Sequence, residues 1–458
     1  MKTEFITAKR ALILLVAVLF SGALLLWLPY EAKTNKGLAL LVLVAILWLT
    51  EVIPITITAI AVPILSIILG LVETKPALQH FANPTIFLFF GGFALAASLS
   101  VNKLDKYIAH KVLSLARGNF LVAILLLFLV TAGLSMGISN TATAAMMIPL
   151  GIGLLKGLPY EENKGSYWFV ISASIGGMGT LVGSPPNAIV SSNLGVTFQE
   201  WLWYGMPVVA GLLPLTILTL YFLFRPNLKV SMDKVKGDDN KNEPLNRKQW
   251  GAIIIFALTA LFWIFSTQMN PIFSNLFGLE KIGDFDSVIA LTAAILVCTF
   301  NIVSWKDIQD NTDWGVLLLF GGGLTLSAVL GSSGASKALV ESIVELIRNQ
   351  NHFVIGLLVA TFIVFLTEFT SNTASAALLV PIFISIAEEI GVPPIGLAMI
   401  IGIGASCAFM LPVATPPNAI AFGTGLLPQK VMLKAGFWLN IISILFISII
   451  GYYFWGGQ

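Results

Sequence analysis

Apolar runs separated by short polar connections make up most of the chain. A helix of about 20 apolar residues crosses a bilayer, and most stretches without Asp, Glu, Lys or Arg approach or exceed this length. These stretches are 11–28, 37–50, 52–72, 76–101, 118–155, 165–199, 201–224, 249–279, 287–305, 314–336, 349–367, 369–387, 390–429 and 435–458. The pattern predicts an all-α integral membrane protein.

Two of the apolar regions carry a polar motif near the middle. Ser139-Asn140-Thr141 lies within 118–157, and Ser371-Asn372-Thr373 lies within 349–390. Each region is long for one membrane span and short for two, so we predict that each forms a re-entrant hairpin with the motif at its tip. Non-helical backbone at that depth is tolerated only when it is buried in protein or lines a wet cavity.

Two other apolar regions contain paired prolines. Ser184-Pro185-Pro186-Asn187 lies within 165–195, and Thr415-Pro416-Pro417-Asn418 lies within 392–426. Proline has no N–H group and its ring clashes with the preceding helical turn, so it interrupts a helix. We therefore predict two Pro-broken helices, in which carbonyls near the break lack helical partners.

The two halves of the chain repeat each other. Phe89-Phe90-Gly91-Gly92 matches Leu319-Phe320-Gly321-Gly322 at an offset of 230 residues, the hairpin motifs match at 232, and the proline motifs match at 231. Five predicted spans separate the hairpins, so the hairpins enter from opposite faces and the repeat is inverted. Inverted repeats with interrupted helices at matching positions indicate a binding site near the membrane midplane.

These features divide the chain into an N-terminal transmembrane helix (1–36), a first repeat (37–224), a cytoplasmic linker (225–249) and a second repeat (250–458). If the N-terminus is cytoplasmic, Lys and Arg divide 19 to 6 in favour of the cytoplasmic side, as the positive-inside rule requires. This topology gives about eleven transmembrane helices plus the two hairpins, with the C-terminus outside. The net charge of +2 gives no indication of a nucleic-acid partner.

The residues at the tips and breaks are suited to binding a cation and an anion together. Ser135 and Thr367 each place a hydroxyl one helical turn before a tip, and carbonyls near Gly183 and Ala414 are free of helical partners. A neutral set of carbonyl, hydroxyl and amide oxygens suits Na⁺, while the N-terminal end of the second hairpin arm favours an anion. Since no Lys or Arg lies near either tip, bound cations would have to neutralise the anion, which predicts obligate coupling.

Glu368 directly precedes the second tip, and the matching residue of the first half is Met136. We expect a hydrogen-bonded structural carboxylate here rather than a proton carrier. The sequence has no HExxH motif, no Ser-His pair at a usable spacing and no paired intramembrane carboxylates, which argues against an enzyme. It also lacks a GxxxxGK[ST] phosphate-binding loop. Hairpins entering from both sides would block a continuous pore, which disfavours a channel.

The duplicated Ser-Asn-Thr motifs, each with a Pro-Pro-Asn partner, resemble the divalent anion/sodium symporter family, which includes bacterial dicarboxylate transporters. The resemblance covers essentially all of residues 37–455. It implies a homodimer in the inner membrane, with scaffold and transport domains that work by an elevator mechanism. It also implies symport of a di- or tricarboxylate, such as succinate, malate or fumarate, with Na⁺ as the coupling ion.

The same resemblance assigns residues to the site. The substrate-binding residues it implies are Asn140, Thr141, Ser184, Asn372, Thr373, Thr415 and Pro416. The first sodium ion is expected at Ser135, Ser139, Asn140 and the Gly183 carbonyl, and the second at Thr367, Asn372 and the carbonyls of Thr370 and Ala414. Two alternatives stay open: a sodium-independent dicarboxylate exchanger, and a transporter of another divalent anion such as sulfate.

Overall fold

The computed structural model describes residues 8–116, 119–155, 171–226, 244–347 and 350–456, and these ranges contain helices and turns but no β-strand. Most of the predicted linker, at 227–243, and the exit of the first predicted hairpin lie outside the described residues. Seven described helices are long and apolar enough to cross a bilayer, and five shorter apolar helices accompany them. The all-α membrane architecture is confirmed, while the number of eleven spans stays a prediction.

The helices of the first half are α1 (Ala8–Trp27), α2 (Ala32–Thr50), α3 (Ile55–Ile68), α4 (Thr74–Gln79), α5 (Pro84–Val101), α6 (Leu104–Leu113), α7 (Phe120–Ser135), α8 (Asn140–Leu155), α9 (Ile171–Gly177), α10 (Pro185–Leu194) and α11 (Phe198–Phe224). Those of the second half are α12 (Arg247–Ile264), α13 (Ser266–Leu276), α14 (Phe285–Thr299), α15 (Trp305–Asn311), α16 (Trp314–Ser333), α17 (Ala335–Ile347), α18 (His352–Leu366), α19 (Asn372–Glu389), α20 (Pro394–Ala405), α21 (Pro416–Gly423) and α22 (Gln429–Ile450).

The long helices begin where the sequence supplies caps. Thr197 and Glu200 form a capping box at the start of α11, and Asn246 and Gln249 form another at the start of α12. In each box a side chain accepts from a free N–H of the first turn while the other reaches back to the cap residue. Both helices therefore have fixed start points beside the connections that join them to the rest of the chain.

Equivalent hydrogen bonds recur in the two halves. Trp48 Nε1 donates to the carbonyl of Ile55 at 3.1 Å, and Trp263 Nε1 donates to the carbonyl of Asp286 at 2.9 Å. Each tryptophan lies near the end of one helix and reaches the first turn of the next spanning helix. The pairs make Asp286 the structural counterpart of Ile55, at the offset of 231 found for the proline motifs.

Each half also caps a helix of the other half. Thr34 Oγ1 at the start of α2 donates to the carbonyl of Ser333 at the end of α16, at 2.9 Å. Gln249 Nε2 at the start of α12 donates to the carbonyl of Asn102 after α5, at 3.0 Å. These carbonyls lack helical partners of their own, so the two exchanged bonds satisfy equivalent groups and relate the halves by a two-fold arrangement.

Two close helix contacts depend on glycine. A Cβ on Gly91 of α5 would overlap the backbone of Ala290 in α14, and a Cβ on Gly322 of α16 would overlap the backbone of Ala59 in α3. Small residues let helices approach this closely. The structure therefore pairs Gly91 with Gly322, one residue away from the match with Gly321 that the sequence motif indicates.

The helices form two groups by their packing. The scaffold group contains α2, α3, α5, α12, α14 and α16, which pack mainly on one another through the pairs α3 with α16 and α5 with α14. The site group contains the hairpin arms, the broken helices and α11 and α22, that is α7–α11 and α18–α22. Within the site group α7 packs on α9, and α18 packs on α20 in the equivalent way.

Candidate substrate and cation site

Both hairpin tips are built on the same helix start. Helix α8 begins one residue after Ser139, whose hydroxyl accepts from Ala142 N at 3.3 Å. Helix α19 begins one residue after Ser371, whose hydroxyl accepts from Ala374 N at 3.3 Å. A serine before a helix commonly satisfies one of its free N–H groups in this way. The asparagine of each tip is thereby fixed as the first residue of its helix.

The carboxamide of Asn140 ends in a cluster of oxygens. One of its terminal atoms lies 2.5 Å from Ser135 Oγ, 3.0 Å from Ala173 O and 3.2 Å from Gly183 O. If that atom is the amide nitrogen, it donates to these oxygens; if it is the amide oxygen, four oxygens face one small space. Gly177 makes room for this arrangement, because a Cβ there would overlap the carboxamide.

The second half contains a matching cluster. Thr367 Oγ1 lies 2.5 Å from Asn372 Oδ1 and donates to the Ala405 carbonyl at 3.0 Å. Thr367 is fully buried. Thr367, Asn372 and Ala405 are the counterparts of Ser135, Asn140 and Ala173 at one offset of 232 residues. Sequence reasoning missed the two alanine carbonyls, although the shared offset would have paired them.

The broken helix of the first half is held by Asn187 of its Pro-Pro-Asn motif. Helix α9 ends at Gly177, and α10 begins at Pro185 after a short 3₁₀ turn. Asn187 is fully buried, and its Nδ2 donates to Gly177 O at 2.8 Å and to Thr180 O at 2.7 Å. These carbonyls belong to the interrupted segment, so the amide supplies partners that a continuous helix would have given them.

Asn418 does the same in the second half. Its Nδ2 donates to Ala408 O at 3.0 Å and to Leu411 O at 3.1 Å, in the segment between α20 and α21. Each acceptor lies 231 residues after its counterpart in the first half. The sequence motif contained both asparagines without revealing this role, which their recurrence behind two prolines could have signalled.

Asn187→Ala should destabilise the protein without removing any predicted ligand. Two buried carbonyls would lose their donor, and each unsatisfied buried group costs about 1–3 kcal/mol. We expect a melting temperature in detergent several degrees below wild type by intrinsic fluorescence. The matched control is Asn193→Ala, because Asn193 is half-buried on the same helix and donates to Ile189 O of its own helix. Equal melting temperatures for the two variants would show that the Asn187 bonds contribute nothing.

Glu368 is hydrogen-bonded, as the sequence led us to expect. Its carboxylate accepts from the backbone N–H groups of Phe409, Met410 and Leu411 at 2.8–2.9 Å, and from Asn440 Nδ2 at 2.7 Å. The side chain is 1% exposed. A buried carboxylate is tolerated when donors surround it, and these donors come from the segment between the broken helices α20 and α21.

The first half makes the equivalent link with different chemistry. Thr180 Oγ1 donates to the backbone carbonyl of Met136 at 2.5 Å, and Met136 is the counterpart of Glu368. Thr180 in turn accepts from Gly183 N at 3.1 Å. In both halves the hairpin tip is therefore tied to the interrupted segment, by a hydroxyl in one and by a carboxylate in the other.

The two oxygen clusters are joined through their broken helices. Ser184 Oγ, one residue after the Gly183 carbonyl, lies 3.2 Å from Ser406 Oγ, one residue after the Ala405 carbonyl. Helix α8 packs on α21, and α19 packs on α10, so each hairpin arm contacts the broken helix of the other half. The tips and breaks of both halves thus form one composite site.

The remaining predicted residues lie at the edges of this composite site. Thr141 and Pro416 are exposed, Thr373 is half-buried and Thr415 is buried. Thr415 Oγ1 accepts from Asn418 N at 3.3 Å. The Thr370 hydroxyl donates to Leu366 O at 3.0 Å and lies 2.8 Å from Ser375 Oγ. Ala414 is buried. The structure therefore brings the Ser135, Asn140 and Gly183 set together, and likewise Thr367 with Asn372.

Long apolar helices, two motif-tipped hairpins and two broken helices that exchange contacts define this protein as a multi-pass membrane transporter, not an enzyme. The sequence matches the model of the sodium:sulfate symporter transmembrane region over residues 7–457. The chain belongs to this family, the divalent anion/sodium symporters.

Relatives and one solved structure agree with this assignment. An uncharacterized transporter of Haemophilus influenzae is 58% identical over 453 residues, covering 98% of this chain and 97% of that protein. The sodium-dependent dicarboxylate transporter SdcS of Staphylococcus saprophyticus is 33% identical over 477 residues, covering 96% and 90%. The crystal structure of the YdaH transporter of Alcanivorax borkumensis has a similar fold, with a TM-score of 0.57, 14% identity and coverage of 83% and 87%.

Proposed function

We propose that this protein is a secondary active transporter that carries dicarboxylates of the succinate, malate and fumarate type together with Na⁺. The observation that carries the proposal is the pair of oxygen clusters, in which a hairpin asparagine and a hydroxyl meet a broken-helix carbonyl in each half. Neutral oxygens at interrupted helices are typical sodium ligands in transporters. The 33% identical sodium-dependent dicarboxylate transporter supports the choice of ion and substrate.

Each cluster gains one carbonyl ligand over the set that the sequence predicts. The first sodium site would consist of Ser135, Ser139, Asn140, the Gly183 carbonyl and the Ala173 carbonyl. The second would consist of Thr367, Asn372 and the carbonyls of Thr370, Ala405 and Ala414. Neither set includes a carboxylate, which fits a monovalent ion better than Ca²⁺ or Mg²⁺, since these usually take at least one carboxylate.

Asn140 and Asn372 would couple the ions to the anion. An amide has one acceptor end and one donor end, so turning the oxygen toward a bound sodium ion leaves the nitrogen free to donate to a substrate carboxylate. The N-terminal ends of α8 and α19 lie at the same residues and add partial positive charge. The cations would thereby both neutralise the substrate and orient its donors, which explains obligate coupling. Thr141, Ser184, Thr373, Thr415 and Pro416 would complete the substrate site.

Transport would proceed by an elevator movement of the site group against the scaffold group. The two groups are connected by limited packing, whereas each is internally well packed. Rigid-body movement of one bundle around a fixed site is the usual form of alternating access in inverted-repeat transporters. We place the protein in the inner membrane as a homodimer, with the N-terminus in the cytoplasm and the C-terminus outside.

The test is uptake of radiolabelled succinate by the purified protein in proteoliposomes. Uptake should require an inward Na⁺ gradient and should be lost when K⁺ replaces Na⁺, because K⁺ is too large for clusters with contacts of 2.5–3.2 Å. Excess malate or fumarate should compete with succinate, and excess sulfate should not. Empty liposomes give the background.

Two results would contradict the proposal. Uptake that ignores Na⁺ and appears only when the vesicles contain internal dicarboxylate would identify a sodium-independent exchanger. Accumulation of labelled sulfate, with succinate failing to compete, would keep the family and change the substrate.

A further inference from the structure

One carboxylate connects the scaffold group to the site group. Asp286, in the first turn of α14, accepts a hydrogen bond at 2.8 Å from the backbone N–H of Phe198, the first residue of α11. The ring of Phe198 stacks on Trp263 with centroids 4.7 Å apart, and Gln199 Oε1 accepts from Thr267 N at 3.2 Å. Three contacts therefore converge on the first turn of α11.

These contacts bridge helices that otherwise pack with different partners. Helix α11 packs chiefly on α22 and α9 of the site group, whereas α14 packs on α5 and α12 of the scaffold group. A cavity of about 610 Å³ opens beside the bridge. It is lined on the site-group side by Ser191 and Thr197, and by Asn270, Ser274 and Asp286 on the other side. The bridge thus lies where the two groups are separated by open space.

The bridge has no equivalent in the other half among the described residues. The shared tryptophan bonds make Ile55 the counterpart of Asp286, and an isoleucine side chain cannot accept a hydrogen bond. The counterpart of Phe198 is Gln429, which begins α22 after Pro428. A two-fold arrangement that is close elsewhere is therefore broken at this point.

The second oxygen of Asp286 indicates that the carboxylate is not there for local stability. Asp286 is 9% exposed, and within the described part of the chain its Oδ1 has no hydrogen-bond partner. A buried polar atom without a partner is costly and requires an explanation. The counterpart isoleucine shows that the fold accepts an apolar side chain at this position.

We infer that Asp286 is a one-sided latch, a positioning residue that holds the site group against the scaffold group in one of the two states of the transport cycle. The inference rests on the proposed alternating-access function. Movement of α11 along the scaffold would break the bond to Phe198, and no matching bond would form from Ile55 when the site group reaches the opposite state. Asp286 thereby favours the arrangement seen here.

Spin-label distance measurements test the latch. Labels at Trp203→Cys in α11 and Ile295→Cys in α14, in a background carrying Cys298→Ser and Cys407→Ala, report the separation of the groups in proteoliposomes. A hydrogen bond to a charged group is strong enough to change a two-state ratio about tenfold to hundredfold. Asp286→Ala should therefore increase the population of a second distance by at least tenfold.

Two matched variants separate the bond from the charge. Asp286→Asn keeps an oxygen that accepts from Phe198 N, and it should retain most of the parent distance distribution. Asp284→Asn removes a charge two residues away, where the carboxylate makes no cap bond, and it should leave the distribution unchanged. An unaltered distribution in Asp286→Ala, or equal shifts in all three variants, would overturn the latch.

A second pair of variants keeps the test decisive if Asp286→Ala does not fold. Phe198→Ala removes the ring and keeps the N–H donor, whereas Phe198→Pro removes both. Proline is well tolerated at the first position of a helix, so the difference between the two variants isolates the donor. Phe198→Pro should show the second distance more often than Phe198→Ala; identical distributions would contradict the inference.

The distance readout does not require a known substrate. If the Asp286→Ala shift occurs while succinate uptake is absent, the latch stands and the substrate assignment is wrong. If uptake is Na⁺-dependent while the distances of Asp286→Ala match the parent, the proposed function stands and the latch is wrong.

Discussion

Asn140→Ala is expected to reduce Na⁺-driven succinate uptake about 100-fold when Na⁺ is limiting, because interactions with a charged partner contribute about 1.5–3 kcal/mol each. The variant removes a cation ligand and a substrate donor at once, and it leaves Ser135, Ala173 and Gly183 facing an enlarged space. Initial uptake rates over a range of Na⁺ concentrations give the measurement. The half-saturating Na⁺ concentration should rise, and the maximal rate should fall as well.

The control for this prediction is the equivalent residue of the other half. Asn372→Ala removes the matching carboxamide next to Thr367 and should have a comparable effect, whereas Asn193→Ala, away from both clusters, should transport like wild type. If Asn140→Ala keeps normal Na⁺ dependence while Asn372→Ala loses it, the first cluster is not a sodium site.

Gly322→Ala should lower the stability of the folded protein more than any single methyl group elsewhere on α16. The added Cβ would overlap the Ala59 backbone in α3, and neither helix backbone can give way easily. Overpacking of this kind costs about 1–3 kcal/mol or more. Thermal unfolding in detergent and the yield of monodisperse protein are the measurements, and both should fall.

Gly331→Ala is the matched control on the same helix. A Cβ there meets nothing within 4 Å, so the change should be neutral or should stabilise by about 0.4–1 kcal/mol through the unfolded state. Gly91→Ala should reproduce the loss seen for Gly322→Ala, because its Cβ would overlap Ala290 in the reciprocal contact. Equal melting temperatures for Gly322→Ala and Gly331→Ala would contradict the close contact.

The sequence allowed prediction of those parts of the site that depend on side-chain chemistry at fixed spacing. Paired prolines break a helix wherever they occur, which located the breaks beside Ser184 and Thr415. Polar tips within apolar regions located Asn140 and Asn372. The structure brings Asn140 together with the Gly183 carbonyl, as those motifs led us to expect.

The other parts of the site were out of reach because they depend on the backbone or on packing. The carbonyls of Ala173 and Ala405 lie in the clusters, but every residue has a carbonyl, so no residue type marks them. The donors around Glu368 come from residues more than 40 positions away. The sequence match of Gly91 with Gly321 was wrong by one residue, since helix faces rather than letters decide which glycine meets the neighbouring backbone.

The exchanged contacts between the halves carry a consequence for the origin of the chain. Thr34 caps a carbonyl of the second half and Gln249 caps the equivalent carbonyl of the first, so a half-length chain alone would leave both carbonyls without a donor. Two copies inserted in opposite orientations would satisfy them mutually. The architecture therefore implies an ancestral gene whose product inserted both ways and paired with itself. Fusion of two copies then fixed each orientation and freed positions such as Ile55 and Asp286 to diverge.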